Sequence, residues 1–190
     1  MATLCHGPPW ADHTQFGTTY SLAHLGPLIT TYTLPAVPPT GKKPGRAQLE
    51  LRLRVHFSHH CFSRSLDDVP ICAEDQIYED LSRGDRRAFC DVRWELSKRL
   101  PRMFSSGEVQ RCFHTGKHNF FTVELAPDGN PQDYCVYFDA RESRLVDVEI
   151  RVESAYLRSD APQRTHKKVS FNAILWNAVH GRKPRVPQGR

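Results

Sequence analysis

The chain has 190 residues, a formal net charge of +5 and a pI of about 9.0. Its hydrophobic content of 39%, with ten Phe, six Tyr and three Trp, is typical of a folded domain and excludes a disordered chain. No apolar run approaches the roughly 20 residues that cross a bilayer, and residues 1–10 lack the pattern of a signal peptide. We therefore expect a soluble cytoplasmic protein without a membrane partner, whose basic charge permits a polyanionic one.

The composition changes along the chain and predicts one domain with irregular ends. Residues 1–15 combine Gly, Pro and His without periodicity, which predicts a disordered or extended arm with Trp10 exposed outside the core. Residues 16–180 are expected to form the single domain. Within it, the Pro, Gly and Lys of residues 35–46 predict an exposed loop, and residues 181–190 predict a basic, mobile tail.

Alternation of apolar and polar residues predicts several strands. It is strongest at Gln48–Phe57, where the leucines, Val55 and Phe57 would face the core and His56 the opposite side. Further strands are predicted at 16–22, 30–34, 87–93, 110–114, 119–125, 134–140 and 146–157.

Helices are predicted at 73–82, 95–104 and 170–180. The last has Ser170 as its N-cap and Gly181 as its C-cap, and the second tolerates Pro101 only in its first turn. Together these elements predict an α+β domain. Its sheet is expected to be twisted and antiparallel, with about five or six strands and with helices on one face.

Five of the ten histidines lie in two short segments, residues 56–64 and 111–121, beside Cys, Arg, Lys and aromatic side chains. Imidazole suits proton transfer near neutral pH, and cations stabilise charge on phosphorus. A metal-independent ribonuclease site is therefore one interpretation, and it needs no cofactor. Its predicted catalytic residues are His59, His60, Arg64, His114 and His118. Its predicted nucleic-acid-binding residues are Lys117, Asn119, Arg158, Lys167 and Lys168.

The order of predicted elements over residues 48–180 resembles the small RelE-like and BrnT-like toxin ribonucleases. At residue level the resemblance is carried by a strand that leads into a His-x4-Arg step at residues 57–64, and by strands at 134–138 and 148–158. This chain departs from them by an additional amino-terminal third and by an inserted strand and helix at residues 85–106. The resemblance implies a bacterial or phage toxin–antitoxin ribonuclease with RNA as substrate and an antitoxin as protein partner.

Three further kinds of site remain open. A zinc site could draw on His and Cys side chains, although only His114-x3-His118 has a compact spacing. Cys61 or Cys112 could act as a nucleophile beside a histidine, but buried free thiols are commoner in such sequence. Nucleic acid could bind without catalysis at residues 115–119, with flanking Phe side chains stacked on bases. The candidate zinc ligands are His59, His60, Cys61, Cys112, His114 and His118.

The leading hypothesis is therefore a small RNA-acting protein, and its main rival is a protein-interaction module without enzymatic activity. The carboxylates of the predicted strands alternate with basic residues, as expected for cross-strand pairs on a solvated face. A catalytic Glu153 near Tyr156 and Arg158 is not favoured. Convergence of His59 or His60 with His114 or His118 would support a catalytic site.

Overall fold

The computed structural model describes residues 3–4, 10–41, 44–69, 73–80, 84–107, 109, 111–115, 120–125, 133–158 and 167–182. Its strands are β1 Thr3–Leu4, β2 His13–Gln15, β3 Thr18–Tyr20, β4 Leu28–Leu34, β5 Leu49–Phe57, β6 Ser63–Arg64, β7 Ile77–Asp80, β8 Asp85–Phe89, β9 Arg111–His114, β10 Phe120–Leu125, β11 Asp133–Glu142, β12 Val148–Arg158 and β13 Lys168–Ser170. The α-helices are α1 Asp91–Ser97, α2 Leu100–Ser105 and α3 Phe171–Val179. Short 3-10 turns span Ala23–Leu25, His59–Cys61, Leu66–Asp68 and Glu74–Gln76.

The main sheet is mixed and has the strand order β1-β4-β5-β12-β11-β10-β9-β13. β5 and β12 run parallel, while the other neighbouring strands are antiparallel. The predicted α+β class is confirmed, but the sheet is neither wholly antiparallel nor limited to five or six strands. Alternation reports which face of a strand is buried, and it does not report the direction of a neighbour that lies far away in the sequence.

The core lies between one face of this sheet and the helices. Leu51, Leu53, Val55 and Phe57 of β5 are at most 3% exposed, as the alternation predicted. On the same side, Phe104 of α2 and Phe171 of α3 pack edge-on against Phe138 of β11, with ring centroids 5.7 and 6.0 Å apart. Burial of these large aromatic rings is the principal stabilising contribution to this layer.

The opposite face of the sheet carries the paired charges that the sequence predicted. Arg141 of β11 donates from Nη2 to Glu149 of β12 at 3.0 Å, and the two residues are register partners. Arg52 of β5 lies exposed on this outer face. Among the described residues, no helix is long and apolar enough to cross a membrane.

The helix predicted at 170–180 is confirmed, and the one predicted at 95–104 is confirmed in part. The helix predicted at 95–104 is two short helices, α1 and α2, and Pro101 occupies the first turn of the second one. The Ser170 hydroxyl accepts a hydrogen bond from the Ala173 amide at 3.2 Å, which confirms it as the N-cap of α3. Gly181 has a φ of 63°, the left-handed conformation that a glycine after a helix adopts without strain.

Two local predictions are wrong. Residues 73–82 were expected to be helical, but Glu74–Gln76 form a 3-10 turn and Ile77–Asp80 form β7, paired with β8. Helix propensity is a weak preference, and pairing with β8 overrides it. The strand predicted at 87–93 ends at Phe89, and α1 begins at Asp91.

The amino-terminal arm also differs from its prediction. Trp10 is only 8% exposed, and its indole Nε1 donates to the carbonyl oxygen of Phe57 at 3.1 Å. His13 is 7% exposed and stacks on Phe89, with ring centroids 4.5 Å apart. Trp10 and His13 of the predicted arm therefore pack into the core. The predicted tail after Arg182 lies outside the described residues.

Candidate functional site

The candidate site lies where the chain leaves β5. Ser58 caps the turn His59–Cys61 by accepting the His60 amide at 3.1 Å, and its hydroxyl donates to the Glu153 carbonyl at 2.6 Å. The register of β12 against β11 shifts at Tyr137/Phe138, so that Glu153 is the extra residue of a bulge. A bulge redirects the side chains that follow it. The turn and the bulge together form a fixed platform at this end of the sheet.

A histidine–aspartate pair forms the centre of the site. His59 is buried, and its Nε2 lies 2.8 Å from Oδ2 of Asp85 on β8. The imidazole packs between Trp10 and His60, with ring centroids 5.5 and 4.5 Å away. Ser63 donates to the His59 carbonyl at 2.7 Å. The orientation of His59 is therefore set by contacts to its ring and to its backbone.

His60 completes a group of three potential metal ligands. One ligand atom each from His59, His60 and Asp85 lies within 4.8 Å of the others. Burial, together with the neighbouring Arg87 charge, lowers the pKa of His60 to about 4. The imidazole of His60 is consequently neutral at physiological pH.

Arginine side chains surround the histidines. The Arg93 guanidinium of α1 donates from Nη1 to the carbonyl oxygens of Ser63 at 2.5 Å and His60 at 3.3 Å. Arg87 of β8 donates from Nε to the Ser63 hydroxyl at 3.0 Å. Burial lowers the pKa of both arginines, and the positive charge of Arg93 lowers that of Arg87 further. Arg64 is exposed, and its positive charge also lowers the pKa of Arg93.

Two tyrosines extend the site along the outer face of the sheet. Arg93 lies over the ring of Tyr156 at 5.0 Å from its centroid, and Tyr156 stacks on Tyr137 with centroids 5.5 Å apart and rings 14° from parallel. Arg158 donates to the Tyr137 hydroxyl at 3.1 Å. Burial and the hydrogen bond with Tyr156 raise the pKa of Tyr137 to about 12. The four side chains form a row in which the two stacked tyrosines lie between the two arginines.

His114 does not join this site. Successive register partners across the sheet are Phe57, Val152, Phe138, Phe120 and His114. At about 4.8 Å per strand, the four steps place His114 roughly 19 Å along the sheet from the end of β5. Its ring faces the core and packs on Phe120 at 5.0 Å. The predicted convergence with His59 and His60 is therefore absent for His114.

The remaining predicted residues divide between described and undescribed parts of the chain. Lys117, His118 and Asn119 lie outside the described residues. Lys167 accepts the His114 amide through its carbonyl at 3.0 Å, and Lys168 pairs with Phe113 of β9. Both lysines thus lie beside His114, away from the β5 exit. Phe113 and Phe120 are 4% and 3% exposed, which contradicts their predicted role as a base-stacking platform.

The cysteines of the described residues are free thiols. Cys61, Cys112 and Cys135 are buried, and Cys90 is partly so. Burial raises the pKa of Cys61 to about 12 and also raises that of Cys112. A thiol of raised pKa is a poor nucleophile, so neither serves as the catalytic cysteine that one hypothesis required.

Sequence reasoning missed half of the site. Asp85, Arg87 and Arg93 come from the segment that had been interpreted as an insertion, and Tyr137 looked like an ordinary strand residue. The charged run Asp85-Arg86-Arg87 is evident in the sequence, but nothing in the sequence indicates that it lies beside His59. The small sheet β6-β8-β7 makes that connection, because Arg64 pairs with Ala88 and thereby places Asp85 beside the turn.

The fold and the site define an α+β protein with a polar cluster of His, Asp, Arg and Tyr side chains at one end of a mixed sheet. Residues 12–179 match the model of the YjaZ family, and the chain belongs to that family. Protein YjaZ of Escherichia coli (strain K12) is 29% identical over 147 residues, which cover 76% of this chain and 78% of that protein. No solved structure shows a significant match.

Membership of the YjaZ family corrects the resemblance to RelE-like and BrnT-like toxins. The family match spans residues 12–179, whereas the resemblance relied on strand order and one His-x4-Arg step. The toxin–antitoxin and ribonuclease assignments depended on that resemblance and are therefore wrong as well. Short patterns of this kind recur in unrelated proteins, because strand order and a single spacing constrain few residues.

Proposed function

We propose that the cluster at the β5 exit binds a phosphate-bearing ligand. The observation that supports this proposal most directly is an excess of positive charge in a partly buried place. The positive charge of Arg93 acts on Arg87 and that of Arg64 acts on Arg93, and the carboxylates that oppose these charges are Asp68 and Asp85. Asp85 is already engaged by His59. A bound anion would offset the mutual repulsion of the guanidinium groups.

The stacked tyrosines support a ligand larger than inorganic phosphate. Tyr137 and Tyr156 are half-buried, and the arginines at either end of the row, Arg93 and Arg158, hold them in place. Guanidinium groups bind phosphate oxygens, and aromatic rings beside them contact a base or sugar. RNA is the polymer of this class that we would test, as a bound ligand and without a cleavage step.

Binding of inorganic phosphate by calorimetry and of a fluorescein-labelled oligouridylate by anisotropy would test the proposal. We expect Arg64→Gln and Arg87→Gln to weaken both ligands. If RNA binds, each change should reduce the slope of log K against log salt by about one, because one phosphate contact is lost.

Arg52→Gln is the matched control. Arg52 is exposed on the outer face of β5, five residues before Phe57, and the change removes the same charge. Binding of phosphate but not RNA would assign the site to a small phosphate ester. If neither phosphate nor RNA binds, the proposal is contradicted. It is also contradicted if Arg52→Gln weakens binding as much as Arg64→Gln and Arg87→Gln do.

A further inference from the structure

We infer that His59, His60 and Asp85 form a binding site for a divalent first-row transition ion such as Zn²⁺. The inference does not depend on the proposed phosphate site, because it concerns different side chains and a different ligand. It rests on three donors that converge: ligand atoms of the two imidazoles and the carboxylate all lie within 4.8 Å of one another. Two histidines and one carboxylate are a known donor set for zinc and for non-haem iron.

The two closest donors already have suitable spacing. Nε2 of His59 and Oδ2 of Asp85 are 2.8 Å apart. Two neighbouring ligands at about 2.0–2.2 Å from one ion lie roughly 3 Å apart in an octahedral shell and roughly 3.3–3.6 Å apart in a tetrahedral one, so the two side chains need to separate by less than about 1 Å. An ion can therefore replace the hydrogen bond of this pair with little movement of either side chain.

The third donor needs only a side-chain adjustment. The described residues show no hydrogen bond to the His60 ring, although the ring is half-buried and packs edge-on against His59 with centroids 4.5 Å apart. The backbone on either side is fixed, since Ser58 accepts the His60 amide and Arg93 donates to the His60 carbonyl. Rotation of this imidazole towards Asp85 would complete a three-ligand site.

The surroundings resemble the outer shell of a metal centre. Ser63 donates to the His59 carbonyl, and Trp10 packs against the His59 ring, so both contacts limit its movement. The charges of Arg87 and Arg93 oppose a bare cation, which argues for an anion in the open coordination position. Three protein ligands with one open position are typical of metal sites that bind an exchangeable ligand.

Titration of metal-free protein with Zn²⁺ in a calorimeter tests the inference. We expect one ion per chain, with His60→Gln and Asp85→Asn each weakening binding by at least the roughly 10–100-fold that loss of an outer-shell partner costs. His114→Gln and His56→Gln are the matched controls and should change affinity less than twofold. Equal weakening by the controls, or undiminished binding in both site variants, would overturn the inference.

A measurement on the wild-type chain does not depend on the folding of any variant. In ¹H–¹⁵N spectra of the imidazoles, Zn²⁺ should shift the resonances of His59 and His60 while that of His114 stays in place. Shifts confined to other histidines, or no shifts, would overturn the inference. Phosphate binding in metal-free protein would still support the proposed function, so the two can fail separately.

Discussion

Two histidine-containing regions of this protein look alike in sequence but differ in structure. At the β5 exit, His59 and His60 meet Asp85 and the arginines of β8 and α1. On β9, His114 faces the core and packs on Phe120. The first region gathers donors and charges from segments far apart in the chain, whereas the second holds one buried imidazole against Phe120, with Lys167 as its charged neighbour. Local composition therefore did not separate a candidate site from a core position.

We expect the largest difference in stability between the two regions when Trp10 of the amino-terminal arm is substituted. Trp10 contacts His59 and donates to the Phe57 carbonyl. It also contacts Phe62 and Tyr78, so it supports the β5 exit and β7, and among the described residues it has no ring contact or hydrogen bond with β9. Trp10→Ala should lower the free energy of unfolding by about 3–5 kcal/mol, the usual cost of removing a buried large aromatic side chain. Urea unfolding measures this. Trp10→Phe, which keeps most of the packing, should cost less; a loss below about 1 kcal/mol for Trp10→Ala would refute the role of the arm.

A smaller effect is expected at Ser63, whose buried hydroxyl connects the His59 carbonyl to Arg87. Ser63→Ala should cost about 1–3 kcal/mol, because the half-buried Arg87 Nε loses this acceptor and the His59 carbonyl keeps only the Phe62 amide as a donor. Ser106→Ala is the control: that hydroxyl donates to the Arg102 carbonyl at 2.8 Å, but the residue is exposed. Equal changes in the urea midpoint for both variants would show that Ser63 does not hold the site together.

The smallest effect separates the regions by their pH dependence. Burial, and then the Lys167 charge, lower the pKa of His114. The unfolded chain therefore takes up this proton first, and the stability that the neutral imidazole contributes above about pH 6.5 is lost as the pH falls. His114→Gln should reduce the loss of stability between pH 7.5 and 5 without abolishing it, since the pKa values of His13, His24 and His60 are also lowered. If the difference in unfolding free energy between pH 7.5 and 5 is the same in His114→Gln as in the wild type, His114 does not contribute to that loss of stability.

Much of the local structure could be predicted. The alternation at β5, the register-paired charges of the outer face and the Ser170 cap depend on neighbours within a few residues or on one repeating pattern. The prediction failed at β7, where residues with helix propensity pair with β8. It also failed at Trp10, because Gly and Pro around it suggested an arm without partners.

The sequence by itself determined the α+β class, most strand and helix positions, and the two histidines at the β5 exit as candidate site residues. Only the tertiary structure decided that β5 and β12 run parallel, that His114 lies about 19 Å away, and that Asp85, Arg87 and Arg93 join His59 and His60. The physical reason is the range of the interactions. Periodicity and capping are local, whereas a site assembled from separate segments depends on pairing between strands that are far apart in the chain.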